Sequence, residues 1–141
     1  MPLLLRKLQS LLDQRWFQRA GLVGWLVAWV VVAVLLLSPV EVPHPAGSDK
    51  LAHLLIFAVL AFATVVFCRQ PRALAGLAIL TVAISYVLEL LQLVLPTRSY
   101  DTLDLVANGG GAALGFIAAL LALRVLERSA PRPAEASPSR A

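Results

Sequence analysis

Four long apolar stretches constrain this chain more than any other feature of its sequence. Three contain no charged residue and one is interrupted only by Glu89; they cover residues 20–38, 51–68, 73–95 and 105–123. A bilayer core requires about 20 apolar residues in a helix, so each stretch can form a span. The chain is only 14% charged, whereas soluble domains carry about 25% charged residues. We therefore expect an all-α membrane protein with four transmembrane helices and no separate soluble domain.

The basic residues are distributed unequally between the two sides of these spans. Of twelve, ten precede the first span, connect the second to the third, or follow the fourth; only Lys50 and Arg98 lie in the other two connections. This is the positive-inside pattern, which predicts that both termini are cytoplasmic and that residues 39–50 and 96–104 face outward. Because the basic residues follow this pattern, the net charge of +4 does not indicate a nucleic-acid partner.

The two ends of the chain differ from the transmembrane domain, which we predict to cover residues 20–126. Within residues 1–19, several leucines and Trp16 fall on one face of a helix, with basic and polar residues mostly opposite. This pattern predicts a short amphipathic helix on the anionic inner leaflet, with membrane lipids as partners. It would act as a topology anchor or, less in keeping with its composition, as a regulatory sensor. Residues 127–141, rich in Pro, Ala, Ser and Arg, are predicted to be disordered.

Polar residues recur at helical spacing along the third and fourth spans. In the third, spacings of 4, 4 and 3 place on one stripe Thr81, Ser85, Glu89 and Gln92. In the fourth, spacings of 4, 3 and 4 do the same for Asp104, Asn108, Gly111 and Gly115. The two glycines form a G-x-x-x-G motif, which permits close approach of a neighbouring helix.

These polar residues lie near the predicted outer ends of three spans. Glu89 lies roughly 9 Å inside the end of its helix. An ionisable residue at a helix centre costs about 2.5–3.5 kcal/mol on insertion scales and usually faces a bundle interior or a wet cavity. We therefore predict an outward-facing polar pocket between helices two, three and four. Its ligand-binding candidates are Asp49, Lys50, His53, Glu89, Gln92, Arg98, Asp101, Asp104 and Asn108.

Several members of this set also have a purely structural interpretation. Asp101 and Asp104 have the spacing of a helix N-cap and an acidic residue at the third helical position. Asp49 could cap the second helix, and Asn108 could form an interhelical hydrogen bond. Glu89 is the hardest to explain in this way, because a carboxyl at that depth must be paired, protonated or functional. The joint placement favours a functional pocket.

The polar residues, in this order, resemble the VanZ-like family of small bacterial membrane proteins. The motif D-K-x-x-H occurs at residues 49–53, E-x-x-Q at 89–92, and P-x-R-x-x-D-x-x-D-x-x-x-N at 96–108, followed by the two glycines. The resemblance covers residues 49–115 and the four-span layout. It implies a multi-pass protein of the bacterial cytoplasmic (inner) membrane, and the family's namesake confers resistance to the glycopeptide teicoplanin. The resemblance thus implies a phenotype rather than a reaction.

Three classes of function fit these features. The leading hypothesis is a binding or accessory module of the cell envelope whose pocket holds a lipid-linked cell-wall precursor, a lipid headgroup or a lipophilic glycopeptide, with Lys50 and Arg98 meeting anionic groups. An intramembrane enzyme would use His53 as general acid or base. A second base, or the ligands of a divalent cation, would then come from Glu89, Asp101 and Asp104. A proton-coupled transporter would use Glu89 within a homodimer, because four helices offer little room for alternating access. The sequence contains no P-loop, H-E-x-x-H or nucleophile elbow, so it indicates no cofactor and assigns no metal site.

Overall fold

The computed structural model describes Lys7 and residues 10–38, 48–94 and 101–129. These residues form four long helices and contain no strand. The helices are α1 (Arg15–Leu37), α2 (Ser48–Ala63), α3 (Pro71–Gln92) and α4 (Thr102–Ser129), and a 3₁₀ turn (Thr64–Val66) extends α2. All four are long and apolar enough to cross a membrane. The predicted fold class, an all-α protein with four spanning helices, is confirmed.

The helices are longer than some of the apolar stretches that predict them. α1 begins at Arg15, five residues before its uncharged stretch, and α4 continues to Ser129, so residues 127–129 are helical. Residues 10–12 are also helical, but Asp13 and Gln14 separate them from α1. Most of the predicted amphipathic segment before residue 10, and the predicted disordered tail beyond residue 129, lie outside the described residues.

The tightest helix pair is α2 with α4, which are not consecutive in the chain. A Cβ atom on Gly111 would lie 2.2 Å from the carbonyl oxygen of Leu54, and one on Gly115 would lie 2.1 Å from that of Ala58. No side chain fits at such distances, so the G-x-x-x-G spacing brings the two backbones into direct contact, as its sequence predicts. This contact sets the separation of the side chains that α2 and α4 carry further toward their predicted outer ends.

Helix α1 packs on the other side of α2 through aromatic residues. Trp25 and Trp29 are buried with Phe57 and Leu60 of α2. The indole N–H of Trp25 donates to the carbonyl oxygen of Leu60 at 2.9 Å. The indole therefore contributes a hydrogen bond as well as apolar contact area.

The polar stripe of α3 faces the interior of the bundle. All four members are buried, and none exposes more than 5% of its surface: Thr81, Ser85, Glu89 and Gln92. Many large apolar side chains point outward instead, for example Val59 and Ile79. This inverted arrangement is expected of a helix bundle surrounded by lipid, because apolar side chains are then favourable on the outside.

Candidate functional site

One lysine at the start of α2 joins three acidic side chains. Lys50 Nζ donates to Asp49 Oδ2 at 3.0 Å, to Asp104 Oδ1 at 2.7 Å, and to Asp101 Oδ2. An ammonium group has three N–H donors, and here each has a carboxylate acceptor. Lys50 was predicted to meet an anionic ligand, but in this arrangement its donors are already used. We refer to these four residues as the lysine cluster.

Asp101 connects the lysine cluster to the start of α4. Its Oδ1 accepts a hydrogen bond from the backbone N–H of Leu103 at 2.8 Å, which is the geometry of an N-cap. The hydrogen bond from Lys50, followed by that from Leu103, lowers the pKa of the Asp101 carboxyl below its ordinary value. Asp101 therefore caps α4, as its spacing predicts, and pairs with Lys50 at the same time.

His53 lies one turn further along α2 and faces α4. Its Nδ1 is 2.9 Å from Asn108 Oδ1, and its Nε2 is 4.0 Å from Asp104 Oδ2. An amide oxygen only accepts hydrogen bonds, so this contact places the hydrogen on Nδ1. In the neutral ring, Nε2 then carries a lone pair. Nε2 and the Asp104 carboxylate thus form a pair of acceptors that a single N–H or O–H donor could bridge.

Glu89 is the deepest carboxyl of the site. Its residue surface is 1% exposed, and its Oε1 accepts the backbone N–H of Asp101 at 3.1 Å. It is close enough to interact electrostatically with His53 and Asp104. Among the described residues, neither its second oxygen, Oε2, nor the side-chain nitrogen of Asn108 has a hydrogen-bond partner, and both atoms are buried. Asn108 itself is fully buried.

Gln92, a predicted member of the site, has its partner on a different helix. The side-chain nitrogen of Gln92 donates to the carbonyl oxygen of Leu36 at 3.1 Å. Leu36 is in the last turn of α1, where carbonyl groups lack helical partners, so Gln92 caps that helix end. Its predicted role in ligand binding stays a prediction. Arg98 lies outside the described residues.

Sequence reasoning missed some of the polar partners. The Leu36 carbonyl is a backbone group, and nothing in the sequence distinguishes it from its neighbours. The ion pair between Arg69 Nη1 and Asp13 Oδ1, at 2.8 Å, joins residues 56 positions apart at the opposite end of the bundle. The sequence did contain a signal for this pair, because Asp13 and Arg69 have opposite charges and lie in segments that are both predicted to be cytoplasmic.

The described residues contain no group of three or more His, Cys, Asp or Glu side chains arranged to hold a metal ion. Asp101 and Asp104, which were considered as ligands of a divalent cation, both bind Lys50. The ammonium group therefore occupies the position at which an ion bridging these two carboxylates would lie.

Comparison with known proteins gives one result. The VanZ/LLP1 family model matches residues 5–123, which include all nine predicted site residues. No curated protein and no solved structure matches the chain significantly.

Proposed function

The chain belongs to the VanZ/LLP1 family, and from that premise we propose that its polar cluster binds the hydroxyl- or amine-rich headgroup of a lipid-anchored envelope molecule. The ligand class includes the sugar–peptide portion of a lipid-linked cell-wall precursor and a lipophilic glycopeptide such as teicoplanin. The protein would act as a binding or accessory component at the outer face of the cytoplasmic membrane. The observation that carries this proposal is the pair of buried, unpartnered polar atoms on Glu89 and Asn108.

Among the described residues of the site, the charge balance favours hydrogen-bond donors over anions as ligand groups. Three aspartates surround one lysine, and Glu89 lies beside them. A phosphate or carboxylate placed next to this set would meet several like charges, which is unfavourable at short range. Hydroxyl and amine groups would meet acceptors instead.

The unpartnered atoms define what the ligand must offer. A buried polar group without a partner costs about 1–3 kcal/mol. As a carboxylate oxygen, Glu89 Oε2 would accept from a ligand donor, and the Asn108 nitrogen would donate to a ligand acceptor. The acceptor pair formed by His53 Nε2 and Asp104 accommodates one further donor. Sugars and peptides carry both kinds of group at short separations, so they match this pattern.

The proposal is tested by measuring binding of the purified full chain in detergent micelles to a lipid-linked cell-wall precursor and to teicoplanin. Polyprenyl phosphate, which has the same lipid but no sugar–peptide headgroup, is the matched ligand control. Glu89→Gln keeps the oxygen that accepts from Asp101 but replaces the free acceptor with a donor, so we expect affinity to fall about tenfold. Ser85→Ala is the matched protein control, because Ser85 lies on the same stripe but its hydroxyl donates locally to the Val82 carbonyl oxygen.

Equal binding of the precursor and of polyprenyl phosphate would overturn the proposal, and so would equal effects of Glu89→Gln and Ser85→Ala. In cells, deletion of the gene should change teicoplanin susceptibility or the pool of lipid-linked precursor. No change in either would contradict an envelope role.

A second function, intramembrane acid–base catalysis, is favoured by one specific observation. The contact with Asn108 fixes the His53 ring so that Nε2 is free to accept a proton, as a general base requires. If the site is catalytic, His53→Gln should abolish turnover of the bound lipid, whereas affinity should fall only by the loss of one acceptor. If the unmodified chain binds the lipid but does not turn it over, with or without added divalent cations, the catalytic function is contradicted and only the binding function stands.

A further inference from the structure

A cluster of arginines lies at the end of the bundle opposite the lysine cluster. A cleft of about 310 Å³ is lined there by Arg15, Gln18, Arg19, Leu22 and Phe67. Four of these residues are on one face of the first two turns of α1, and Phe67 comes from the connection between α2 and α3. We call this the basic cleft. Its wall combines cationic side chains with apolar ones.

The start of α1 carries the charge opposite to the one that would stabilise it. Its N-cap, Gln14, makes no capping hydrogen bond with its side chain, and its first turn has no acidic residue. Unpaired backbone N–H groups and the helix dipole give this end partial positive charge, which favours a nearby anion. Arg15 and Arg19 add two further positive charges. Among the described residues, the first two turns of α1 therefore carry an excess of positive charge.

Arg69, two residues after Phe67, adds donors that lack acceptors. Its Nη1 donates to Asp13, which lies just before α1. Its Nε and Nη2 atoms are buried and have no hydrogen-bond partner in the part of the chain that the structure describes. Asp13 therefore occupies only Nη1 of the Arg69 guanidinium, and the edge formed by Nε and Nη2 keeps the fork geometry that binds phosphate oxygens.

We propose that the basic cleft is a binding site for the phosphate of an anionic membrane phospholipid. The arginines bind the phosphate, and the acyl chains lie against Leu22 and Phe67. A lipid fits better than a soluble anion because α1 spans the membrane and Leu22 is 41% exposed beside the cleft. The exposed ring of Trp16 lies one turn from Arg19, and tryptophan is enriched at membrane interfaces.

The test uses the full chain in neutral detergent, with phosphatidylglycerol or phosphatidylcholine added, and measures retained lipid by native mass spectrometry. We expect phosphatidylglycerol to be retained in preference to phosphatidylcholine. The double variant Arg15→Gln/Arg19→Gln should reduce phosphatidylglycerol affinity at least tenfold, because it removes two charge-assisted contacts. The matched control is Arg124→Gln/Arg128→Gln, which removes the same charge from the exposed end of α4 on the same predicted side.

Equal losses in the two double variants would indicate a general effect of charge and would overturn the proposal. Equal retention of the two lipids would also overturn it. Displacement of phosphatidylglycerol by millimolar inorganic phosphate would show a site for soluble anions and would contradict the assignment to a lipid. Circular dichroism of each variant separates loss of binding from loss of fold. Arg69→Gln, two residues from the cleft-lining Phe67, should also lower phosphatidylglycerol affinity.

Discussion

At the scale of single residues, the site is defined by how completely each polar atom is satisfied. Lys50 uses all of its donors on Asp49, Asp101 and Asp104. Glu89 and Asn108 each retain one unpartnered atom. A residue that is fully paired contributes to holding the helices together, whereas one with a buried free atom is suited to receive a ligand. The lysine cluster therefore supports the site, and Glu89 with Asn108 forms the part we expect to bind.

The ion pair of Asp101 predicts a response to acid. Because Lys50 and the Leu103 N–H lower the pKa of Asp101 in the folded chain, this carboxyl stabilises the fold above its ordinary pKa of 3.8. The contribution is lost as pH falls through the lowered value in the folded state. We expect the free energy of unfolding in detergent to decrease on acidification from pH 5 to pH 3, and Asp101→Asn to remove part of that decrease. If the free energy of unfolding of the Asp101→Asn variant depends on pH in the same way as that of the unmodified chain, the stabilising role of the Asp101 carboxylate is contradicted.

At the scale of helices, the contact between α2 and α4 fixes the geometry of the site. His53 and Asn108 meet because Gly111 and Gly115, about one and two turns after Asn108, allow the two backbones to touch. The spacing of the glycines indicates close packing, and the polar stripes indicate which faces turn inward, so these aspects of the fold were predictable. The particular partner of each side chain was not. Gln92, for example, belongs to the inward stripe, yet its partner is a backbone carbonyl of α1 rather than another predicted site residue.

Substituting one glycine should therefore disturb the bundle more than substituting its neighbour. Gly115→Ala places a methyl group against the Ala58 carbonyl and should lower the free energy of unfolding by about 1–3 kcal/mol. Gly110→Ala is the matched control, because it meets nothing within 4 Å and alanine is the better helix former. Unfolding in SDS, followed by the fluorescence of the buried tryptophans, measures both. Similar losses in the two variants would contradict the proposed contact.

At the scale of the whole molecule, hydropathy predicts the four helices but not their ends. The uncharged stretches mark the lengths of chain that can lie in lipid, and arginine side chains allow the helices to continue beyond them, as α1 and α4 do. The collection of polar groups from α2, α3 and the start of α4 at one end of the bundle was also predictable, because each group lies close to the same end of its span. Which side of the membrane that end faces rests on the distribution of basic residues.

Thiol labelling tests this orientation. In a Cys68→Ser background, a membrane-impermeant maleimide added to intact spheroplasts should label a Thr102→Cys variant and not a Gln70→Cys variant, since both positions are exposed but lie at opposite ends of the bundle. After lysis both should react. If only the Gln70→Cys variant is labelled in intact spheroplasts, the predicted orientation is wrong and the polar cluster lies at the cytoplasmic side.

The pairing of α2 with α4 also has a consequence for how the protein is made. His53 and Asn108 are separated by 55 positions, which a ribosome working at about 5–20 residues per second covers in roughly 3–11 s. During that interval α2 has been synthesised but α4 has not. The partners of His53 and Lys50 at the start of α4, namely Asn108, Asp101 and Asp104, are therefore still missing. The first turn of α2 must therefore remain in water, or be held by the insertion machinery, until the last helix arrives. Assembly of the polar cluster thus marks the completion of the bundle.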